Sequence, residues 1–293
     1  MKTTHHEING HTKLVGILGW PVGHSLSPAM HNAEFTRLGL NWAYVPLPVE
    51  TAHLGQALRG LAAAGFAGFN VTIPHKQAVL PYLDDLTVQA RQIGAVNTIR
   101  VNDGRLLGMN TDADGWAQDC EKLIPLRDVH MAIAGAGGAA RAVAVAAAHA
   151  GAKSIAIINR TYSSAENLAQ ILQDQFPSLK VVPASREEDG AGRDLVAGCH
   201  LLVNTTPIGM GAPNDSLAVP ASWLRPALAV YDTVYTPAMT ATLQLAAALG
   251  APYRNGLGML ARQGALAFEA WTGILPDVQH MEETLARRLG ITL

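Results

Sequence analysis

Val129-His130-Met131-Ala132-Ile133-Ala134-Gly135-Ala136-Gly137-Gly138-Ala139-Ala140-Arg141 decides the fold, read with Ser154-Ile155-Ala156-Ile157-Ile158-Asn159-Arg160-Thr161 downstream. Val129–Ala134 is a short apolar run that stops at a glycine, the pattern of a buried strand. An Ala/Val-rich helical run follows from Ala139 to Ala150, and Ser154–Asn159 reads as a second strand. Strand, glycine loop, helix and strand form the context that a dinucleotide-binding fingerprint requires. Gly135 permits the tight turn and Gly137 lets backbone approach a pyrophosphate. Ala140 stands where a third glycine is usual, and is small enough for helix and strand to pack closely. The helix start at Ala136, Gly138 and Ala139 then offers N–H groups and a positive dipole end to phosphate. Arg141 either faces that pyrophosphate or pairs on the surface.

The end of the second strand indicates which dinucleotide. An NAD site usually carries an acid there for the ribose 2′-hydroxyl. This chain has Asn159-Arg160-Thr161. A guanidinium flanked by neutral polar groups suits a 2′-phosphate, so NADP (NADPH) is the expected cofactor.

Outward from this core, 293 residues suit two domains, and 49% hydrophobic with 15% charged residues is a globular composition. Lys and Arg number 21 against 23 Asp and Glu, with no basic-aromatic cluster, which argues against nucleic acid. The longest apolar stretch, Ala139–Ala152, contains Arg141 and His149 and is too short to span a bilayer. The first residues have no signal-peptide core, and His5, His6 and His11 read as a solvated terminus. Cys120 and Cys199 are far apart and form neither a disulfide framework nor a metal spacing. Together these predict a cytoplasmic protein without a metal or a membrane partner.

Periodicity predicts strands at Lys13–Leu18, Trp42–Leu47, Gly68–Ile73, Leu201–Asn204 and Ala229–Thr233. Helices are expected at Pro28–Leu38, Thr51–Ala64, Ala165–Gln175, Ala238–Leu249 and Met259–Trp271. The fold class is α/β in two domains, the second of Rossmann type. The expected boundaries are 1–112, 113–255 and a helical 256–293.

The first domain contains polar residues in apolar surroundings. In His24-Ser25-Leu26-Ser27-Pro28 an extended loop would project Ser25 and Ser27 to one side, while Ser27 before Pro28 is also an ordinary N-cap. Asn70-Val71-Thr72-Ile73-Pro74-His75-Lys76 ends a strand abruptly and puts Lys76 just beyond it, where α/β proteins place ligands. Ala95-Val96-Asn97-Thr98 and Gly108-Met109-Asn110-Thr111-Asp112 read as two further turns.

Taken together, these motifs resemble the shikimate dehydrogenase family over nearly the whole chain. The resemblance also rests on Gly19-Trp20-Pro21-Val22-Gly23 before the serine loop and on Asn204-Thr205-Thr206-Pro207-Ile208-Gly209-Met210. It ends with Asn255-Gly256-Leu257-Gly258-Met259-Leu260. It implies an N-terminal substrate domain, a C-terminal NADP domain, and last helices that return to the first domain. By it, Lys76 and Asp112 look like the catalytic pair, and Ser25 and Ser27 like carboxylate binders. Thr72, Asn97 and Gln263 look like ring-hydroxyl contacts, Tyr235 lines the substrate site, and Gly256 and Met259 belong to the cofactor side. Two positions depart from the family pattern. Ala113 follows the Asp where Gly is frequent, and Ser164 stands where a basic residue is frequent, leaving Arg160 as the only obvious 2′-phosphate cation.

The activity so implied is reversible reduction of 3-dehydroshikimate to shikimate by a monomer or homodimer. A lysine with a suitable pKa can donate or remove the proton. A carboxylate beside it favours the protonated form, so Lys76 alone and the coupled pair both stay open. A quinate/shikimate enzyme using NAD or NADP is the alternative within the family. A non-catalytic metabolite-binding regulator is the alternative outside it, and a binder has no use for a proton-transfer pair.

Overall fold

The computed structural model describes residues 7–187, 190–211 and 216–292. His5 and His6 lie outside them. The chain divides into two compact units, Met1–Thr111 with Ala261–Leu293, and Asp112–Leu260.

The first unit begins with β1 (Lys13–Gly19), α1 (Ser27–Arg37), β2 (Trp42–Pro48), α2 (Leu54–Ala63) and β3 (Phe66–Val71). It continues through α3 (His75–Ala78), β4 (Asp85–Leu86), α4 (Val88–Ile93), β5 (Thr98–Asn102) and β6 (Arg105–Met109). The sheet order is β2-β1-β3-β5-β6-β4. β1 is parallel to β2 and β3, whereas β5 is antiparallel to β3 and β6. The hairpin between β5 and β6 turns at Asp103 and Gly104, with φ of 48° and 76°. Two successive positive φ values make the type I′ geometry that matches strand twist.

Two expectations are corrected here. The segments expected as turns are the ends of this hairpin: Thr98 opens β5, Met109 closes β6, and a helix starts at Thr111. β3 also stops at Val71, before Ile73. The Thr72 N–H bonds to the Leu18 carbonyl, and the His75 N–H folds back onto the Thr72 carbonyl at 2.8 Å. Pro74, which cannot donate to a ladder, sits inside that turn.

The second unit takes up most of α5 (Thr111–Cys120), then β7 (His130–Ala134), α6 (Gly138–His149), β8 (Ser154–Asn159), α7 (Tyr162–Gln175) and β9 (Lys180–Ser185). It closes with α8 (Ala191–Ala197), β10 (Leu201–Asn204), β11 (Ala229–Asp232), α9 (Ala241–Ala248) and β12 (Tyr253–Asn255). The sheet order β12-β11-β10-β7-β8-β9 is parallel throughout. This is the doubly wound Rossmann order, and its reversal beside β7 marks where a ligand binds at the strand carboxyl ends.

Helix α10 (Leu257–Thr272) starts in the second unit and ends in the first, to which α11 (Val278–Leu289) belongs. In the first unit Leu54 and Leu58 of α2 cover one sheet face over Phe69 and Ile99. Phe35 of α1 and Phe268 and Trp271 of α10 cover the other over Val15 and Ile17. The α11 start is tied to α1 by the Asp277 N–H donating to Glu34 Oε1 at 2.8 Å. Glu34 is fully buried and its carboxylate also accepts both arms of Arg37 at 2.7 and 2.8 Å, so the buried charge is paired. Among the described residues no helix is long and apolar enough to cross a membrane.

Candidate active site

In the first unit the polar residues at the sheet's carboxyl edge form one buried network centred on Asn97. Its Oδ1 accepts the Thr111 N–H at 2.7 Å and the Thr98 hydroxyl at 3.1 Å. Its Nδ2 donates to Thr111 Oγ1 at 3.0 Å and to Gln263 Oε1 at 3.3 Å. Asn70 extends the network. It donates to the Asn97 carbonyl and to Thr98 Oγ1, both at 3.1 Å, and accepts the Tyr44 hydroxyl at 2.7 Å. A buried amide is costly when unpaired, so these side chains are held by mutual satisfaction. Thr111, thus fixed, opens α5, and Asp112 follows it in the chain as a buried residue of the helix's first turn.

Lys76 is a half-buried residue of the short helix α3, directly beyond the β3 turn. Its carbonyl accepts the Val96 N–H at 2.8 Å, so the lysine backbone is fastened to the residue preceding Asn97. His75 beside it is fully buried and its Nε2 meets the Val49 carbonyl at 2.6 Å, which pins α3 to the segment after β2. Thr72 is half-buried in the turn between β3 and α3, and Gly19 packs so closely on its methyl that a Cβ there would lie 2.5 Å away. The structure thus gathers Asn97 and Gln263 directly and ties Lys76 to them through backbone.

The serine loop differs from the expected extended form. The Ser25 N–H bonds to the Val22 carbonyl at 3.1 Å, closing a turn. Nor is Ser27 the N-cap of α1. It is the first helical residue, with Leu26 as cap, and its side chain makes no capping bond. Ser25 Oγ instead accepts the Ser27 N–H at 3.3 Å. The physical reason is that αR backbone already begins at Leu26 (φ −86°, ψ −10°), one residue before Pro28 would require. The Ser27 hydroxyl is buried beside Tyr44, whose phenol burial pushes well up. Tyr44 stands in no motif, and Asn70 heads the Asn70–Lys76 motif without any sign of its partners, so their network role was not readable from the sequence.

In the second unit β7 runs into the glycine loop. Gly135 has φ +117°, and a Cβ there would lie 2.5 Å from Thr205 Oγ1. Thr205 is itself fixed by its hydroxyl and N–H, both on the Ala134 carbonyl, at 2.8 and 2.9 Å. Gly137 caps α6 without a side chain, and among the described residues no atom beyond the adjoining chain lies within 4 Å of a Cβ built on Gly137 or Gly138. Ala136 and Ala139 are half-buried on either side, and Ala140 is fully buried against the sheet. Open space above uncapped N–H groups at the start of a twelve-residue helix fits a pyrophosphate.

Beyond β8 the Asn159 Nδ2 donates to the Thr161 carbonyl at 3.0 Å, which shapes the turn carrying the exposed Arg160. Arg160 shares a cavity with Ser185, Arg186, Glu187 and the apolar side chains of Leu217, Val219 and Pro220. Arg186 is thus a second cation in the cavity that Arg160 lines, and it is not among the residues the sequence reading names. Arg186 was missed because Lys180–Ser185 was not recognised as a strand: Pro183 interrupts its pattern, and an edge strand tolerates proline.

At the far side of the same sheet, Asp232 organises the loops after β10 and β11. It accepts from Asn204 Nδ2 at 2.9 Å, the Val234 N–H at 3.0 Å and the Thr240 hydroxyl at 2.7 Å. Burial raises its carboxyl to about 6 despite these bonds. Tyr235, half-buried in the loop so held, has its phenol pushed up by burial. Gly256 presses on Thr233, where a Cβ would lie 2.2 Å from the carbonyl oxygen, and Met259 is buried one turn into α10.

Residues 17–99 match the family described as shikimate dehydrogenase substrate binding domain. Residues 118–185 match shikimate / quinate 5-dehydrogenase, and residues 256–286 match the shikimate 5′-dehydrogenase C-terminal domain. The shikimate dehydrogenase (NADP(+)) of Geobacter sp. strain M21 is 43% identical over 287 residues, covering 97% of this chain and 98% of its own length. That of Rubrobacter xylanophilus is 47% identical over 283 residues, with 95% and 97% covered. The crystal structure of Thermus thermophilus shikimate 5-dehydrogenase in complex with NADP(H) and shikimate superposes with a TM-score of 0.85 at 39% identity, covering 94% of this chain and 99% of that one.

Proposed function

The chain belongs to the shikimate dehydrogenase family, its curated relatives are NADP(+)-dependent oxidoreductases, and from that premise we propose which of its residues do the chemistry. The reaction is the reversible reduction of 3-dehydroshikimate to shikimate, a step toward the aromatic amino acids. NADPH supplies the hydride when bound. The chain must then hold the substrate ring and move one proton at the substrate oxygen.

Lys76 and Asp112 carry that proton. The observation that supports this is the Val96–Lys76 backbone bond, which fastens the lysine beside the buried Asn97 network. Asn97 and Gln263 face ring hydroxyls with amides whose orientation the network fixes, and Thr72 adds a hydroxyl from the turn before α3. Ser25 and Ser27 hold the carboxylate, and Tyr235 lines the site. Gly135, Ala136, Gly137, Gly138 and Ala139 receive the pyrophosphate. Asn159, Arg160 and Thr161 receive the phosphorylated ribose, with Gly256 and Met259 on the nicotinamide side. A reducing, cytoplasmic setting is part of the same reading, and the free buried thiols of Cys120 and Cys199 suit it.

Replacing Lys76 with Ala tests the assignment. We expect kcat to fall by roughly 10²–10⁴-fold, the usual worth of general acid–base catalysis, with far less change in shikimate binding. Near-normal kcat would remove Lys76 from the mechanism.

A further inference from the structure

We propose that Arg186, at the end of the edge strand β9, is a second arginine for the 2′-phosphate of NADP and a determinant of cofactor choice. The inference rests on the reading above that Arg160 faces this phosphate.

The register supports it. Asn159 of β8 and Ser185 of β9 are paired across the parallel ladder. Arg160 and Arg186 are the next residue on each chain, so two guanidinium groups leave the carboxyl edge of adjacent strands at the same level. Parallel strands lie only about 4.8 Å apart. Like charges opposite one another on adjacent strands destabilise a sheet edge. Here the repulsion is expressed on Arg186, whose pKa is lowered first by burial and then by Arg160. An anion between the two cations relieves both costs.

The surroundings fit one particular anion. Arg186 is half-buried and is anchored by one N–H on the Leu217 carbonyl. A guanidinium has five donors in a fixed fork, so the others remain for phosphate oxygens. Ser185 adds a hydroxyl to the same cavity of about 490 Å³, and Leu217, Val219 and Pro220 add an apolar wall. A doubly cationic rim beside an apolar wall suits an adenosine carrying a phosphate on its ribose. Glu187 also reaches the rim, but it is exposed, and water and salt screen its repulsion. Thr161 caps α7 without using its hydroxyl for the cap, and Ser164 in the first turn is neutral. Among the described residues lining the cavity, Arg186 is thus the one cation that joins Arg160.

Calorimetric titration of NADP⁺, NAD⁺ and 2′,5′-ADP into the wild type, R160A and R186Q tests the proposal. Glutamine can keep the bond to the Leu217 carbonyl while removing the charge. R186Q should weaken NADP⁺ and 2′,5′-ADP by about 10-fold or more, the lower part of the range for charged hydrogen bonds, and leave NAD⁺ unchanged. Unchanged 2′,5′-ADP binding in R186Q, or an equal loss for NAD⁺, overturns it. R160A gives a test that does not depend on R186Q folding. With Arg186 still present, R160A should retain a measurable preference for NADP⁺ over NAD⁺, and its complete loss would also overturn the proposal. The outcomes separate from failure of the underlying reading. If R160A binds 2′,5′-ADP as the wild type does, the phosphate is not at this cavity at all.

Discussion

The two units solve recognition by different means. In the first, the groups assigned to substrate are side chains locked into one another: Tyr44, Asn70, Thr98, Asn97, Thr111 and Gln263 each use a hydrogen bond to fix the next. In the second, the surface assigned to the dinucleotide is mostly backbone: a glycine at φ +117°, an uncapped helix start, and two strand ends that present arginines. A small ring with several hydroxyls must be met by amides of defined orientation, and only buried, satisfied side chains hold one orientation. A pyrophosphate needs N–H groups and a positive end, which any helix start supplies. Removing one side chain should therefore disturb folding and binding together in the first unit, and binding alone in the second.

The sharpest way to break that contrast is Asn97→Ala. It leaves the Thr111 N–H and the Gln263 amide without their buried partner, each costing about 1–3 kcal/mol. We expect a lowered Tm together with a raised KM for shikimate. A large KM effect at unchanged Tm would show that the network serves ligand binding without supporting the fold. The same comparison is expected to give the opposite pattern for R160A, with its Tm preserved.

A smaller effect is expected at Ser25, which is half-buried and whose hydroxyl, among the described residues, makes a single 3.3 Å bond to the Ser27 N–H. The substrate carboxylate keeps its charge from ground state to transition state, so a donor to it binds both alike. Ser25→Ala should raise KM by roughly 10- to 150-fold and leave kcat nearly constant, as for a hydrogen bond to a charged group. An unchanged KM removes Ser25 from carboxylate binding, and a fall in kcat at constant KM would place it at the reacting carbon.

The smallest effects concern pH, and here the two units have opposite signs. His31 of α1 is fully buried among Tyr44, Phe268 and Trp271, 4.5 Å from the Tyr44 ring, and among the described residues neither ring nitrogen has a hydrogen-bond partner. Burial lowers its pKa from 6.5 to about 3. The unfolded chain therefore takes up a proton that the folded chain refuses, and stability falls as pH drops below 6.5 toward 3. Asp232 is raised from 3.8 to about 6 by burial, so its contribution is present below 3.8 and is lost as pH rises through 6. His31→Phe should remove the first slope and gain about 2 kcal/mol over the wild type at pH 5, where 1.5 pH units of the shift are expressed. Denaturant midpoints of the two proteins that differ by the same amount at pH 5 and pH 7 would contradict it.

Legibility from sequence followed the same division. The Rossmann unit was readable because backbone-built sites leave composition marks: Gly135, Gly137 and a neighbouring strand ending in Asn159-Arg160-Thr161. Its edge strand β9 was not, since Pro183 breaks the period, and Arg186 was lost with it. In the first unit the hairpin of β5 and β6 went unrecognised although Asn102-Asp103-Gly104 is a strong turn signal, because the strands it joins are short and mixed in polarity. Candidate residues were identified there by their motifs, but the pairing of Asn97 with Gln263, 166 positions away, is a property of the packed chain. Ser27 misled because a serine before proline satisfies the local rule for a cap, and the rule yields when the helix starts one residue earlier.

The most direct test of the whole account is the initial rate of nicotinamide reduction by the purified chain with shikimate or quinate, each with NADP⁺ or NAD⁺. The account predicts the highest kcat/KM for shikimate with NADP⁺, a marked loss on changing to NAD⁺, and a further loss with quinate. A higher kcat/KM for quinate with NAD⁺, or no turnover in any combination, would contradict it.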